Sequence, residues 1–182
     1  MLTMIDSETG LRMTMAVQSK PRNPRLADNN LFRIVTWTRG LGDPHPFHDR
    51  VAFHSAIPTR QYLIYRLRLN TDVRGRSSLS AMQGDMAPTS GYAYADYDLL
   101  RLEFDEPGDI GPQEVQRAFE LLQLELLTYE DYLTGQVYSF TVTDRAGTVL
   151  ERQGNIYGAD YAEHLAKEAF DNHRMGIGAD NR

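Results

Sequence analysis

Between Pro112 and Leu133 the apolar residues Val115, Phe119, Leu122, Leu126, Tyr129 and Leu133 step by four, three, four, three and four. Steps of that kind keep one stripe on a single helix face over roughly five to six turns. Pro112 suits the first helical turn, where its missing N–H costs nothing, and Gly135 follows the expected end. An amphipathic helix this long needs an apolar layer to lie on, and the flanking sequence supplies strands. Leu31 to Thr38 is rich in β-branched and aromatic residues. Tyr62 to Leu69 alternates, with Leu63, Tyr65, Leu67 and Leu69 on one face and Tyr62, Ile64, Arg66 and Arg68 on the other. Gly91 to Tyr97 reads as a third strand, Val137 to Thr143 as a fourth, and Thr148 to Arg152 as a fifth after a tight turn at Asp144 to Gly147. A closing helix over Ala159 to His173 places Tyr161, Ala162, Leu165, Ala166, Ala169 and Phe170 inward, with Glu163 and Lys167 paired outside. The expected fold is therefore α+β: a mostly antiparallel sheet of about five strands with two long helices packed on one face.

Residues 1–30 are polar and end in Lys20-Pro-Arg-Asn-Pro-Arg25, where two prolines exclude a helix. They read as an N-terminal arm, and 31–182 as a single α+β domain. Asn70 to Ser90 has little periodicity and reads as a long loop. The 182 residues are 41% hydrophobic, enough for a core, and hold no cysteine. Disulfides, thiolate zinc sites and cysteine nucleophiles are excluded together. Met1 to Val17 is broken by Asp6, Glu8 and Arg12, which is unlike a secretory leader, and no stretch approaches the ~20 apolar residues that span a bilayer. A cytoplasmic protein without membrane contact is expected.

Charge is divided along the chain. Residues 1–80 carry twelve Arg or Lys against six Asp or Glu, and residues 81–182 carry seven against nineteen. From Asp96 to Asp131 there are eleven acids and only Arg101 and Arg117 to oppose them. Asp96, Asp98, Glu103, Asp105, Glu106 and Asp109 precede the long helix, and Glu114, Glu125 and Asp131 lie off its apolar stripe. These nine form the candidate binding surface, since carboxylates at such density resemble a phosphate backbone and compete for a basic groove. The arginines are scattered singly, so direct nucleic-acid binding is not expected.

Catalytic signatures are sparse. Asp43, His45, His48 and His54 form the one histidine cluster, and imidazoles beside a carboxylate are the donor set of a zinc or iron site. Their H-x2-H-x5-H spacing matches no helix-face pair, so they stand as the alternative ligand or metal site, and of a hydrolase or small-ligand binder. Gly40-Leu-Gly42 and Gly154-Asn-Ile-Tyr-Gly158 fit neither phosphate-loop pattern. Tyr62, Tyr92, Tyr94 and Tyr97 beside Arg66 and Arg68 are read as cross-strand packing ahead of a base-stacking platform. No cofactor is expected.

From Leu41 onward the chain resembles a family of small proteins of phages, plasmids and integrative elements. The likeness rests on Leu41-Gly-Asp-Pro-His45, the strand Tyr62 to Leu69, Ser90-Gly91, Tyr132-Leu-Thr-Gly-Gln-Val-Tyr138, Asp144 to Gly147 and Tyr157-Gly-Ala-Asp-Tyr161. The chain departs from that pattern at Met86-Ala-Pro-Thr89 and Glu151-Arg-Gln-Gly-Asn-Ile156, where relatives carry Trp and Cys. The resemblance implies a mobile-element setting, in which small acidic proteins act against host defence by binding. An anti-CRISPR or anti-restriction inhibitor, not an enzyme, is the resulting expectation, with a host defence protein or nuclease complex as partner and the oligomeric state open.

Overall fold

The computed structural model describes residues 1–26, 30–36, 62–71, 77–82, 91–105 and 108–180. In chain order they form β1 (Leu2–Ile5), β2 (Arg12–Val17), a 3-10 turn (Pro24–Leu26), β3 (Arg33–Thr36), β4 (Tyr62–Thr71), β5 (Ser77–Met82) and β6 (Gly91–Asp96). Then follow α1 (Tyr97–Phe104), α2 (Pro112–Leu133), β7 (Val137–Thr143), β8 (Val149–Tyr157) and α3 (Ala159–Asp180). The fold is α+β and its strand pairings are antiparallel. The strands divide into two sheets of four, ordered β1-β2-β7-β8 and β3-β6-β4-β5. Two compact units result: Met1–Asn23 with Asp131–Arg182, and Pro24–Glu130.

The first unit accounts for most of the segment read as an arm. Residues 11–16 alternate after all, with Leu11, Met13 and Met15 buried and Arg12 and Ala16 exposed. Methionine is a weak strand signal, which hid the pattern. Asp6 makes the hairpin turn: its Oδ1 accepts the N–H groups of Glu8 (2.9 Å) and Thr9 (3.2 Å), and its carbonyl accepts that of Gly10 (2.8 Å). Gly10 has φ +75°, and a Cβ there would stand 2.7 Å from the Cβ of Arg145. Backbone conformation and close approach both demand glycine. β2 pairs with β7 from Arg12↔Thr143 to Val17↔Tyr138, so the start and end of the chain share one sheet.

The core of this unit joins Leu11, Met13 and Met15 of β2, Phe140 and Val142 of β7 and Ile156 of β8 to Ala162, Ala166, Ala169 and Phe170 of α3. Three alanines on one stripe let the helix axis approach the sheet closely. Tyr161, expected inward, is 59% exposed because it lies beside that stripe. The Asp144–Gly147 turn forms as read, with Gly147 at φ +86° and its N–H on the Asp144 carbonyl. At the register shift within β8, between Gln153 and Ile156, Asn155 at φ +55° receives the Arg22 N–H (2.8 Å) and the Gln18 amide (3.1 Å) on its Oδ1. The Tyr157 hydroxyl donates to the Arg22 carbonyl at 2.7 Å, completing a clasp on residues 18–22.

In the second unit β6 lies between β3 and β4, and β5 is the far edge of β4. β5 falls within the stretch read as a loop, where Ser and Met again masked the alternation. α2 has the bounds that its stripe implies, and its buried residues are Ala118, Leu122, Leu126 and Tyr129. It lies against the sheet through Tyr65, whose ring centroid is 5.5 Å from that of Phe119 and whose hydroxyl donates to the Val115 carbonyl. The Gln123 amide reaches the Ala81 carbonyl at 3.3 Å. Tyr94 is buried, with Tyr62 edge-on to it at 5.7 Å and 81°, so these tyrosines pack across strands.

Glu125 is the polar centre of this unit. Its Oε2 meets Arg25 Nη1 at 2.5 Å, and its Oε1 accepts the N–H groups of Leu31 (2.7 Å) and Phe32 (3.2 Å). Arg25 also donates to the Phe32 carbonyl (2.5 Å) and Asn30 Oδ1 (3.0 Å), and the Asn30 amide to the Pro24 carbonyl (2.8 Å). Burial raises the Glu125 carboxyl above the usual carboxylate range, although Arg25 and the two N–H groups pull it down. The folded chain thus holds that proton more tightly than the unfolded chain, and stability is lost as pH rises through the folded value. Arg25→Ala strands a buried carboxylate and should cost about 3–5 kcal/mol at pH 7. Urea unfolding should show that deficit shrinking as the pH is lowered and Glu125 takes up its proton.

Candidate acidic interface

α1 is built by the acids that open the negative run. Asp96 is its N-cap, extended at φ −69°, ψ 137°, with a carboxylate that accepts the Asp98 N–H at 2.7 Å. Asp98 stands in the first turn, where a negative charge meets the positive end of the helix dipole. Asp105 ends the helix in the left-handed conformation at φ 55°. Leu100 and Phe104 are the buried face, and the Arg117 guanidinium of α2 lies 4.7 Å from the Phe104 ring centroid. Such a cation–aromatic contact ties the short helix to the long one.

The outer face of α1 is mixed. Leu99 is 51% and Leu102 79% exposed. Asp98, Glu103 and Asp105 are exposed around them. Arg101 is the local counter-charge: Nη1 lies 2.8 Å from Asp98 Oδ1, Nη2 3.7 Å from Asp109 Oδ1, and Nε donates to the Gly108 carbonyl at 3.0 Å. One guanidinium thus folds the chain after α1 back on the helix and serves two carboxylates. Glu103 and Asp105 have no cation partner among the described residues.

The remaining acids have other occupations. Glu114 is the third residue of α2 and its Oε2 accepts the Gly111 N–H at 2.9 Å, one half of a capping box. Glu125, read as outward-facing, is instead enclosed by Arg25 and the Leu31–Phe32 backbone and is not part of any surface. It lies beside the apolar stripe of α2, and only the position of Arg25 and of Leu31 and Phe32 turns that flank inward. Asp131 belongs to the first unit. Burial raises its carboxyl, and its Oδ2 lies 3.2 Å from where a Cβ on Gly158 would stand. Glu106 lies outside the described residues. The structure thus gathers Asp96, Asp98, Glu103, Asp105 and Asp109 about α1 and separates Glu114, Glu125 and Asp131 from them by role.

Asp43, His45, His48 and His54 also lie outside the described residues. Of the other histidines, His173 Nε2 lies 3.0 Å from Glu151 Oε2, and His164 is solvent-facing near Glu168 at 4.0 Å. Among the described residues no group of three or more His, Cys, Asp or Glu is placed to hold a metal ion. No described helix is long and apolar enough to cross a membrane. Comparison with protein-family models, curated proteins and solved structures finds no match to this chain.

The two classes of acid separate experimentally. Asp96→Ala removes the cap and should cost about 1 kcal/mol in urea unfolding. Glu103→Gln should change stability by no more than about 0.5 kcal/mol, as for a solvated surface charge.

Proposed function

We propose that the protein acts by binding rather than turnover, as a mobile-element inhibitor of host defence whose α1 surface occupies a basic nucleic-acid groove of a nuclease complex. The observation that carries this reading is the pair of exposed carboxylates Glu103 and Asp105, without a cation partner among the described residues, on the same short helix as Asp98, which shares one guanidinium with Asp109. Arginine-lined grooves attract such an array over the Debye length, about 8 Å at physiological salt. Exposed Leu99 and Leu102 add an apolar contact that a phosphate backbone lacks, favouring a protein surface as the partner. The resemblance to mobile-element proteins supplies the setting.

The test mixes the protein with purified CRISPR effector and restriction complexes and follows release of their labelled nucleic acid. Inhibition should weaken steeply between 0.1 and 0.5 M NaCl, on the order of the salt dependence of nucleic-acid binding itself. The variant D98N/E103Q/D105N/D109N, in which Asn preserves the left-handed position at 105, should lose roughly tenfold or more in affinity while its unfolding free energy falls by no more than about 1–2 kcal/mol, the loss of the Asp98 helix-terminus charge and the Arg101 pairs. Inhibition indifferent to salt and to these substitutions rejects the charge mechanism.

A further inference from the structure

The sheet β1-β2-β7-β8 has one face under α3, while the side chains of its other face are exposed or partly exposed except at the end, where Val137 is buried. Side chains alternate across a strand, so the neighbours of the core residues share the open face. They are Thr3 and Ile5 of β1, Arg12, Thr14 and Ala16 of β2, and Ser139, Thr141 and Thr143 of β7, with Val149 and Arg152 of β8, and Val137 paired with Tyr157 at the far end. The register lines them into rows. Thr3 stands opposite Thr14, Thr14 opposite Thr141, and Thr141 opposite Arg152, while Ile5, Arg12, Thr143 and Val149 form the next row. Arg152 Nε donates to Thr141 Oγ1 at 3.4 Å, which fixes the guanidinium on this side. Glu151 is directed the other way, to His173 of α3.

Five Ser and Thr hydroxyls and two guanidiniums thus occupy one face that carries no carboxylate. Arg12 and Arg152 are both exposed, and neither has an acidic partner among the described residues. Of the acids at the adjoining turns, Asp6 holds the Glu8 and Thr9 N–H groups and Asp144 Oδ1 holds the Thr148 N–H at 2.8 Å, while Glu8 is exposed in the β1–β2 turn beyond the end of the face. On a chain of net charge −6 this is a local inversion of sign. The strand β7 separates the two arginines, which places their backbones about 10 Å apart across the sheet and about 7 Å apart along it. That span is comparable with the groove widths of a duplex, about 6 and 12 Å.

We propose that this open face, through Arg12 and Arg152 with the threonine row between them, binds the phosphate backbone of double-stranded nucleic acid. Guanidinium and hydroxyl donors are the groups that phosphate oxygens accept from. A single strand is disfavoured because the aromatic on this face, Tyr157, stands at its far end with its hydroxyl held on the Arg22 carbonyl, and no aromatic lies between Arg12 and Arg152 to stack a base. A second copy packed face to face is disfavoured because it sets arginines against arginines with no carboxylate to meet them. The binding is backbone-directed and indifferent to base sequence. It is independent of the α1 surface.

The experiment measures anisotropy of a labelled 24-base-pair duplex with the full chain at 50 mM NaCl. Binding is expected, weakening roughly tenfold by 200 mM as two phosphate contacts require. The R12Q/R152Q variant should bind at least tenfold more weakly while unfolding like the parent. K167Q, on the exposed side of α3, and the neutralised α1 variant should bind the duplex no more weakly than the parent. Absence of duplex binding, or binding unchanged in R12Q/R152Q, overturns the proposal. Tighter binding of poly-glutamate than of the duplex also overturns it and assigns the face to an acidic protein. Loss of inhibition in the α1 variant with duplex binding intact bears only on the other surface.

Discussion

The pairing of β2 with β7 is the constraint on which the architecture depends. It joins the start of the chain to its last third, and everything from Pro24 to Glu130 is carried between the two strands. Closing a flexible stretch of that length would cost about 4 kcal/mol of chain entropy, and less for a stretch that folds by itself. The offset is apolar: Met13 and Met15 on one strand and Phe140 and Val142 on the other meet the alanine stripe and Phe170 of α3. Gly10 against Arg145 and the clasp of Asn155 and Tyr157 on residues 18–22 hold the two ends of that sheet in register.

A different constraint governs the second unit. Glu125 sits beside an apolar stripe, and its charge is tolerated only because three donors converge on it. Removing water from a carboxylate costs several kcal/mol, which a single salt bridge does not reliably return. The full set of Arg25, Leu31 and Phe32 returns part of it, and it ties the approach to β3 to the middle of α2. Burial still raises the carboxyl, so the arrangement holds position more than it adds stability.

Much of the fold was legible. α2 and β7 have the bounds that residue spacing implies, and β3, β4 and β6 lie where β-branched and aromatic runs place them. β1, β2 and β5 were not legible because Met, Ser and Thr alternate without marking a face as strongly as Leu and Tyr do. α1 was hidden within the acid run, although Asp96, three residues before Leu99 and four before Leu100, was an available cap signal. Of the acidic candidates, those about α1 are exposed together, while Glu125 shows the limit of reading a helix by its stripe. A flank of a helix is solvent or core according to what packs on it.

Composition and order along the chain determined the long helices, the strands marked by β-branched and aromatic residues, the absence of thiol chemistry and the separation of charge into a basic first half and an acidic second half. These are local properties, set by the spacing of side chains along one backbone. Which charges share a surface was decided by strand register alone. Arg12 and Arg152 are far apart in sequence and read as isolated arginines, yet the order β2-β7-β8 sets them on one face with the threonines between them. Conversely, Asp98 and Glu125 belong to one acidic run and end in opposite conditions, one solvated and one enclosed. Pairing across a sheet is long-range, so the electrostatic character of each face is a property of the folded chain.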